Sequence, residues 1–230
     1  MVNNEKKTDR RRFLGTLASG AALAGLSTLP SVNLNAADDF VPFSEDDPEA
    51  WFKKIKGKHR IVFDATQPHE IMPFAWPRVF LMTNEMTGTP AKDQGVVVVL
   101  RHSAIGYAME DKVWEKYKLG ELFKADDPAT KKASLRNPFW KPAKGAFNIP
   151  GVGEVAIGIN ELQDSGVMFC VCNVALGVYS AVAAQTMNLN HADVLKEWKA
   201  ALLPGIQVVP SGVWALGRAQ ENGCKYIFAG

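Results

Sequence analysis

The chain has 230 residues, 47% of them hydrophobic, 26 Lys and Arg against 24 Asp and Glu, and a formal net charge of +2. That length suits one domain with room for a real core. A charge so near balance gives no electrostatic reason to expect nucleic acid or an anionic membrane as partner, and three cysteines are too few for a disulfide-built scaffold.

The first segment reads as an address. Asp9-Arg10-Arg11-Arg12-Phe13-Leu14 sets two arginines, a spacer, Phe and Leu just before an apolar run from Leu14 to Leu29. That order, with Arg10, Arg11, Phe13 and Leu14 as the recognised residues, is the one the twin-arginine export machinery reads. The run is about 16 residues and is diluted by Gly, Ser and Thr. It falls short of the roughly 20 apolar residues of a spanning helix, so no stable membrane insertion is expected. Ala36 and Ala37 precede the acidic Asp38-Asp39, which suits cleavage there and a periplasmic mature protein. Residues 1–36 hold five of the 26 basic and two of the 24 acidic residues, so the remainder carries 21 against 22 and the basic excess belongs to the signal. Twin-arginine cargo crosses folded, often loaded, yet the sequence names no cofactor.

Residues 37–58 read as an acidic linker followed by a short helix, with Asp46-Asp47-Pro48-Glu49 supplying a cap, a first-turn proline and an early acid. His59 to Thr66 is an apolar strand ending in polar residues, and Phe74 to Met86 has helical spacing despite Pro77. Gly95 to Leu100 is a continuous β-branched run, the mark of a strand buried on both faces. Helical spacing from Ala104 to about Tyr117 predicts one helix. Residues 118–153 are polar, contain prolines and are long for a connection. Arg136-Asn137-Pro138-Phe139-Trp140 within them leaves three options open: a lid, a subunit contact, or a cover for the domain's own core.

The last third alternates cleanly. It predicts a helix near 155–163, a strand Val167–Cys172, helices Val174–Met187 and Asp193–Leu202, a strand Ile206–Val209, a helix Gly212–Glu221 and a strand Cys224–Phe228. Alternation of this kind predicts an α/β fold, a Rossmann-like and mostly parallel sheet of about five strands with helices on both faces.

Several motifs are missing. Gly151-Val152-Gly153 lacks the third glycine of a dinucleotide turn and does not follow a strand. No phosphate-cradling loop, nucleophile elbow or His-Glu-x-x-His motif occurs, and no ligand set has metal spacing. What remains is set by topology, because parallel strands bring their carboxyl ends to one edge, where ligands of open α/β sheets bind. That edge collects Asp64, Thr66 and His69 from the first strand, then Arg101, His102 and Ser103, then Cys172 and Asn173, then Ser211. Cys172 lies where strand passes into helix, and a helix N-terminus favours a thiolate; the alternative is an inert buried thiol. Cys170, expected on the same face but deeper, and Cys224 read as small buried hydrophobes. His102 is a candidate acid, base or ligand, His69 a weaker one, and His59 and His191 read as surface residues.

The segments 166–176, 203–213 and 219–227 together resemble the DsrE/DsrF-like superfamily. They begin Gly166-Val167-Met168-Phe169-Cys170-Val171-Cys172-Asn173, Leu203-Pro204-Gly205-Ile206 and Ala219-Gln220-Glu221-Asn222-Gly223-Cys224. The resemblance covers about 65 residues, and the strands before it suit the same fold, with residues 118–153 as an insertion. It implies a trimer or hexamer and, at the position of Cys172, a thiol that carries sulfur as a persulfide. The expected function is therefore a thiol-based sulfur carrier or transferase, with Cys172 and His102 as reacting pair and a small sulfur compound as partner. The alternative is a non-catalytic module binding a small ligand or metal, with His69, Thr66, Asn173 and Ser211 lining the site.

Overall fold

A computed structural model describes residues 47–230; the export motif, its cleavage point and the acidic residues 37–46 lie outside the described residues. Asp47 caps α1 (Pro48–Phe52) by accepting the Glu49 N–H at 2.9 Å, with Pro48 in the first turn. Strand β1 (His59–Ala65), helix α2 (Met72–Met86) and strand β2 (Gln94–Leu100) follow. A 3-10 segment (His102–Ala108) leads to α3 (Asp111–Tyr117), α4 (Leu119–Phe123) and a small hairpin of β3 (Asn148–Ile149) and β4 (Gly153–Glu154). Then come α5 (Ile159–Asp164), β5 (Met168–Cys172), α6 (Asn173–Met187), α7 (His191–Ala200), β6 (Ile206–Val209), α8 (Gly212–Glu221) and β7 (Lys225–Phe228).

Five strands form one all-parallel sheet in the order β6-β5-β2-β1-β7. The chain steps from β1 to β2, β5 and β6 in one direction, then returns across the whole sheet to β7. With the usual right-handed crossover, the first three connections fall on one face and the return on the other. The cores follow that rule. Phe63, Phe74, Val98, Trp114, Phe169, Leu176 and Trp198 belong to a large cluster under α2 to α7. Trp51, Phe52, Val62, Val97, Val99 and Leu216 form a thinner one under α1 and α8. β2 sits at the centre, and Val96 through Leu100 are buried on both faces, which is why that strand is apolar at every position rather than at alternate ones.

Two expectations need correction. The helical spacing of 104–117 does not make one helix. It is split between the 3-10 segment and α3, with Met109 extended (φ −118°, ψ 151°) and bridged to Leu202. The helix expected from Val155 begins at Ile159, because Gly158 is its extended cap and the Gly158 N–H donates to Glu161 Oε2 at 2.8 Å.

Segment 118–153 covers the domain's own core. Phe139 is fully buried and lies against Phe74 and Phe147, with centroids at 4.3 and 5.2 Å. Asn137, also fully buried, clamps the segment: its Nδ2 donates to the carbonyls of Tyr107 and Met109 at 2.8 and 3.0 Å, and its Oδ1 accepts the Phe139 N–H. Among the described residues, no helix is long and apolar enough to cross a membrane.

Candidate functional site

The helix after β5 lies on the thick face and the helix after β6 on the thin face, so the chain parts in opposite directions between these neighbouring strands. Such a switch point opens a crevice at the carboxyl ends of the strands. Cys172-Asn173 forms one bank and Ser211-Gly212 the other.

Cys172 is the residue before α6, 6% exposed, and its Sγ accepts the Ala175 N–H at 3.3 Å. Turning toward α6 carries the thiol to the thick-face core, whereas Cys170 faces the thin one, so the two do not share a face as the strand period predicts. Cys170 is fully buried and burial pushes its thiol far up; Cys224 is pushed up to about 11 by burial. Neither is a neutral-pH nucleophile.

β2 and β5 pair through Leu100 and Val171, so Arg101 and Cys172 continue as neighbours one strand spacing apart. Arg101 is held from below. Its Nε and Nη2 donate to Asp64 Oδ1 and Oδ2 at 2.6 and 2.9 Å, and Tyr226 Oη donates to the same carboxylate at 2.9 Å. Asp64 is 1% exposed while the Arg101 side chain is 28% exposed, so the open end of the pair is the cation. The hydrogen bond to Asp64 raises the arginine pKa further, and Cys172 lies close enough to add to the effect. A Cβ on Gly212 would stand 2.4 Å from Arg101 Cβ, so the glycine lets β2 and the start of α8 meet.

His102 lies on the same rim, not an opposite one, but its ring turns to α6. Tyr179 Oη is 3.1 Å from Nε2, and Phe123 packs on the Tyr179 ring at 5.1 Å. Burial lowers the His102 pKa, as does the Arg101 charge, against a raising hydrogen bond to the Thr66 carbonyl. Burial pushes Tyr179 up to about 12. Among the described residues His102 makes no hydrogen bond to Cys172, whose Sγ meets only the Ala175 N–H.

The remaining expected residues divide. Asn173 is 8% exposed beside Cys172 and its side chain has no hydrogen-bond partner among the described residues. Ser211 caps α8, its Oγ accepting the Trp214 N–H at 3.2 Å. Thr66 N–H and Oγ1 both donate to the Gly230 carbonyl, the former at 2.8 Å, which ties the end of β1 to the residues after β7. His69 is exposed, packs against Gly230 and stands two strands from β5, so it does not join Cys172. His191 is half-buried rather than superficial, its Nε2 meeting Ser180 Oγ at 3.1 Å between α6 and α7. No three His, Cys, Asp or Glu side chains among the described residues converge as metal ligands would. An open depression of about 350 Å³, lined by Trp51, Gln163, Met168 and Gly205 among others, lies at the other end of the strands and has no titratable group.

No protein-family model matches the chain, and no curated protein is similar to it. Among solved structures it is similar to a protein of unknown function from Methanobacterium thermoautotrophicum, with 19% identity, TM-score 0.34, and 74% of this chain and 98% of that one covered.

Sequence reasoning missed Tyr179 and Tyr226. Tyr179 lies seven positions after Cys172, two turns along one helix face, so helical spacing counted from the cysteine finds it. Tyr226 carried no such signal, because its role depends on β7 returning beside β1.

Proposed function

We propose that the chain is an exported, periplasmic protein of the DsrE/DsrF-like kind that carries sulfane sulfur on Cys172. The Cys172 thiolate attacks the terminal sulfur of a persulfide or polysulfide donor, a new S–S bond forms, and the donor thiolate leaves; an acceptor thiol takes the sulfur by the reverse exchange. The observation carrying this reading is that Cys172, alone of the three cysteines, stands at the carboxyl rim with its Sγ on a helix-start N–H. His102, on the same rim, is held by Tyr179 and makes no hydrogen bond to the thiol among the described residues. The resemblance further implies a trimer or hexamer, and delivery by the twin-arginine machinery rests on Arg10 and Arg11.

Incubation with inorganic polysulfide, followed by intact mass measurement, is expected to add one or more sulfur atoms to the protein and none to Cys172→Ala. Equal loading of both removes Cys172 as the carrier. A second reading, a module that binds a small ligand without chemistry, draws support from the 6% exposure of Cys172 and the missing His102 contact. It predicts non-covalent mass that survives Cys172→Ala.

A further inference from the structure

Four aromatic rings that the sulfur exchange leaves idle cross the thick-face core, from the carboxyl rim to a surface carboxylate on α7. Tyr179 is half-buried at the rim, its ring centroid 5.1 Å from that of Phe123. Phe123 lies 6.2 Å from Trp198, and Trp198 lies 5.8 Å from Tyr117. The two ends share a feature that packing alone does not require: each phenol touches a base. Tyr179 Oη is 3.1 Å from His102 Nε2 and 3.3 Å from Nδ1, within reach of whichever nitrogen bears the lone pair. Burial and the Arg101 charge keep that imidazole neutral, and so able to accept a proton. Tyr117 Oη donates to Glu197 Oε2 at 2.6 Å. Between the two ends, Trp198 is fully buried and its Nε1 has no hydrogen-bond partner among the described residues.

We propose that these rings form a relay that carries an oxidising equivalent from the rim to the surface, from Tyr179 past Phe123 and Trp198 to Tyr117. The relay uses no cysteine and stands apart from the sulfur-carrier reading. A phenol that has lost an electron is a very strong acid, so it gives the electron up readily only where a base takes its proton. A diffusible radical, acting as a one-electron oxidant, takes an electron from Tyr179, and the hydroxyl proton moves to His102. An electron from Trp198 refills Tyr179, His102 returns the proton, and Trp198 becomes a cation radical. That charge is buried and has no acceptor for its proton, so it does not settle there. An electron from Tyr117 refills Trp198, and the Tyr117 proton goes to Glu197, even with Lys116 Nζ on the same oxygen at 2.6 Å. The neutral radical then rests on Tyr117. A small thiolate in solution supplies the last electron and leaves as a thiyl radical, while Glu197 hands the proton back. One electron has passed from thiolate to oxidant, and every proton has returned to its start. Phe123 is not oxidised; its ring fills the gap between Tyr179 and Trp198.

The test uses the purified full chain with photo-oxidised ruthenium tris-bipyridine as the one-electron oxidant. Transient absorption distinguishes tyrosyl from tryptophan radicals, and a spin trap followed by peptide mass mapping places them. In the wild type the trapped radical is expected at Tyr117. Glu197→Gln keeps the shape of the side chain but removes the base, so the Tyr117 adduct should be lost and the tryptophan cation radical should persist. Trp198→Phe should also lose the Tyr117 adduct and hold the radical at Tyr179. Should Trp198→Phe fail to fold, Glu197→Gln, whose side chain is 37% exposed, decides the matter. Equal Tyr117 adducts in the wild type and Glu197→Gln overturn the relay, because oxidation there then needs no proton acceptor. Equal adducts in the wild type and Trp198→Phe overturn it too, because attack then comes directly from solvent. A radical trapped only at Tyr107 or Tyr226, which lie off the chain of rings, also overturns it.

Discussion

His102 has φ +50°, in the left-handed region that non-glycine residues seldom occupy. It stays there because Arg101, at the end of β2, and Ala104 bond to Ala65 and Thr66 on either side of it. Such strain gathers where a side chain must be aimed, and here the ring is aimed at Tyr179. Burial and Arg101 keep that ring neutral in the folded state below the ordinary histidine range. The unfolded chain therefore binds a proton first as pH falls, so His102 subtracts stability below about pH 6.5 and has no effect above it. His102→Gln is expected to flatten the loss of stability between about pH 6.5 and pH 5 in urea titrations; parallel curves for the two proteins would acquit the histidine. Of the rim residues, those fixed by being at a strand end were legible from the chain: Thr66, Arg101, His102, Cys172 and Ser211. Which way each side chain turns was not, because turning depends on partners such as Tyr179 and Asp64 that lie 77 and 37 residues away from the groups they bind.

Among elements, the segment between α3 and α5 taught the most. Its sequence leaves a lid, a subunit contact and a cover for the core equally open, and what decides for the core is a single amide, Asn137, which satisfies two carbonyls and one N–H in a dry interior. Removing it leaves all three without partners at about 1–3 kcal/mol each. Asn137→Ala is thus expected to destabilise the domain by about 3 kcal/mol or more, while leaving sulfur loading at Cys172 intact in whatever protein remains folded. Denaturant melts would check this, and a change under about 1 kcal/mol would mean the segment is held by its aromatics alone. β-branched and alternating patterns revealed every strand of the main sheet. Helix extents were harder, because Met109 and Gly158 break helices through contacts with Leu202 and Glu161 that spacing does not encode.

At the scale of the molecule, the sheet is unevenly finished. β6 is flanked by partly buried side chains, but β7 exposes all four of its residues, with Tyr226, Ile227 and Phe228 at 46, 41 and 57%. Nearby α2, which packs over β1 and β2, turns Trp76, Val79 and Met86 outward. An apolar edge strand without a cover invites pairing with another chain, and a second copy is the occupant the proposed oligomer supplies. Ile227→Lys is expected to lower the mass measured by light scattering toward that of one chain of 25.1 kDa. A wild-type protein already of that mass at high concentration would remove the oligomer from the proposal. Five parallel strands and helices on both faces could be read from alternation alone. The return of the last strand to the outer side of β1 could not, since periodicity says nothing of neighbours.

That return also sets a schedule. The bond from Tyr226 to Asp64 spans 162 residues, so the sheet cannot close while its last strand is still being synthesised, and contacts of such sequence separation form late and slowly. A nascent chain cut short before that strand lacks the clasp that holds Arg101 and leaves β1 as a raw border.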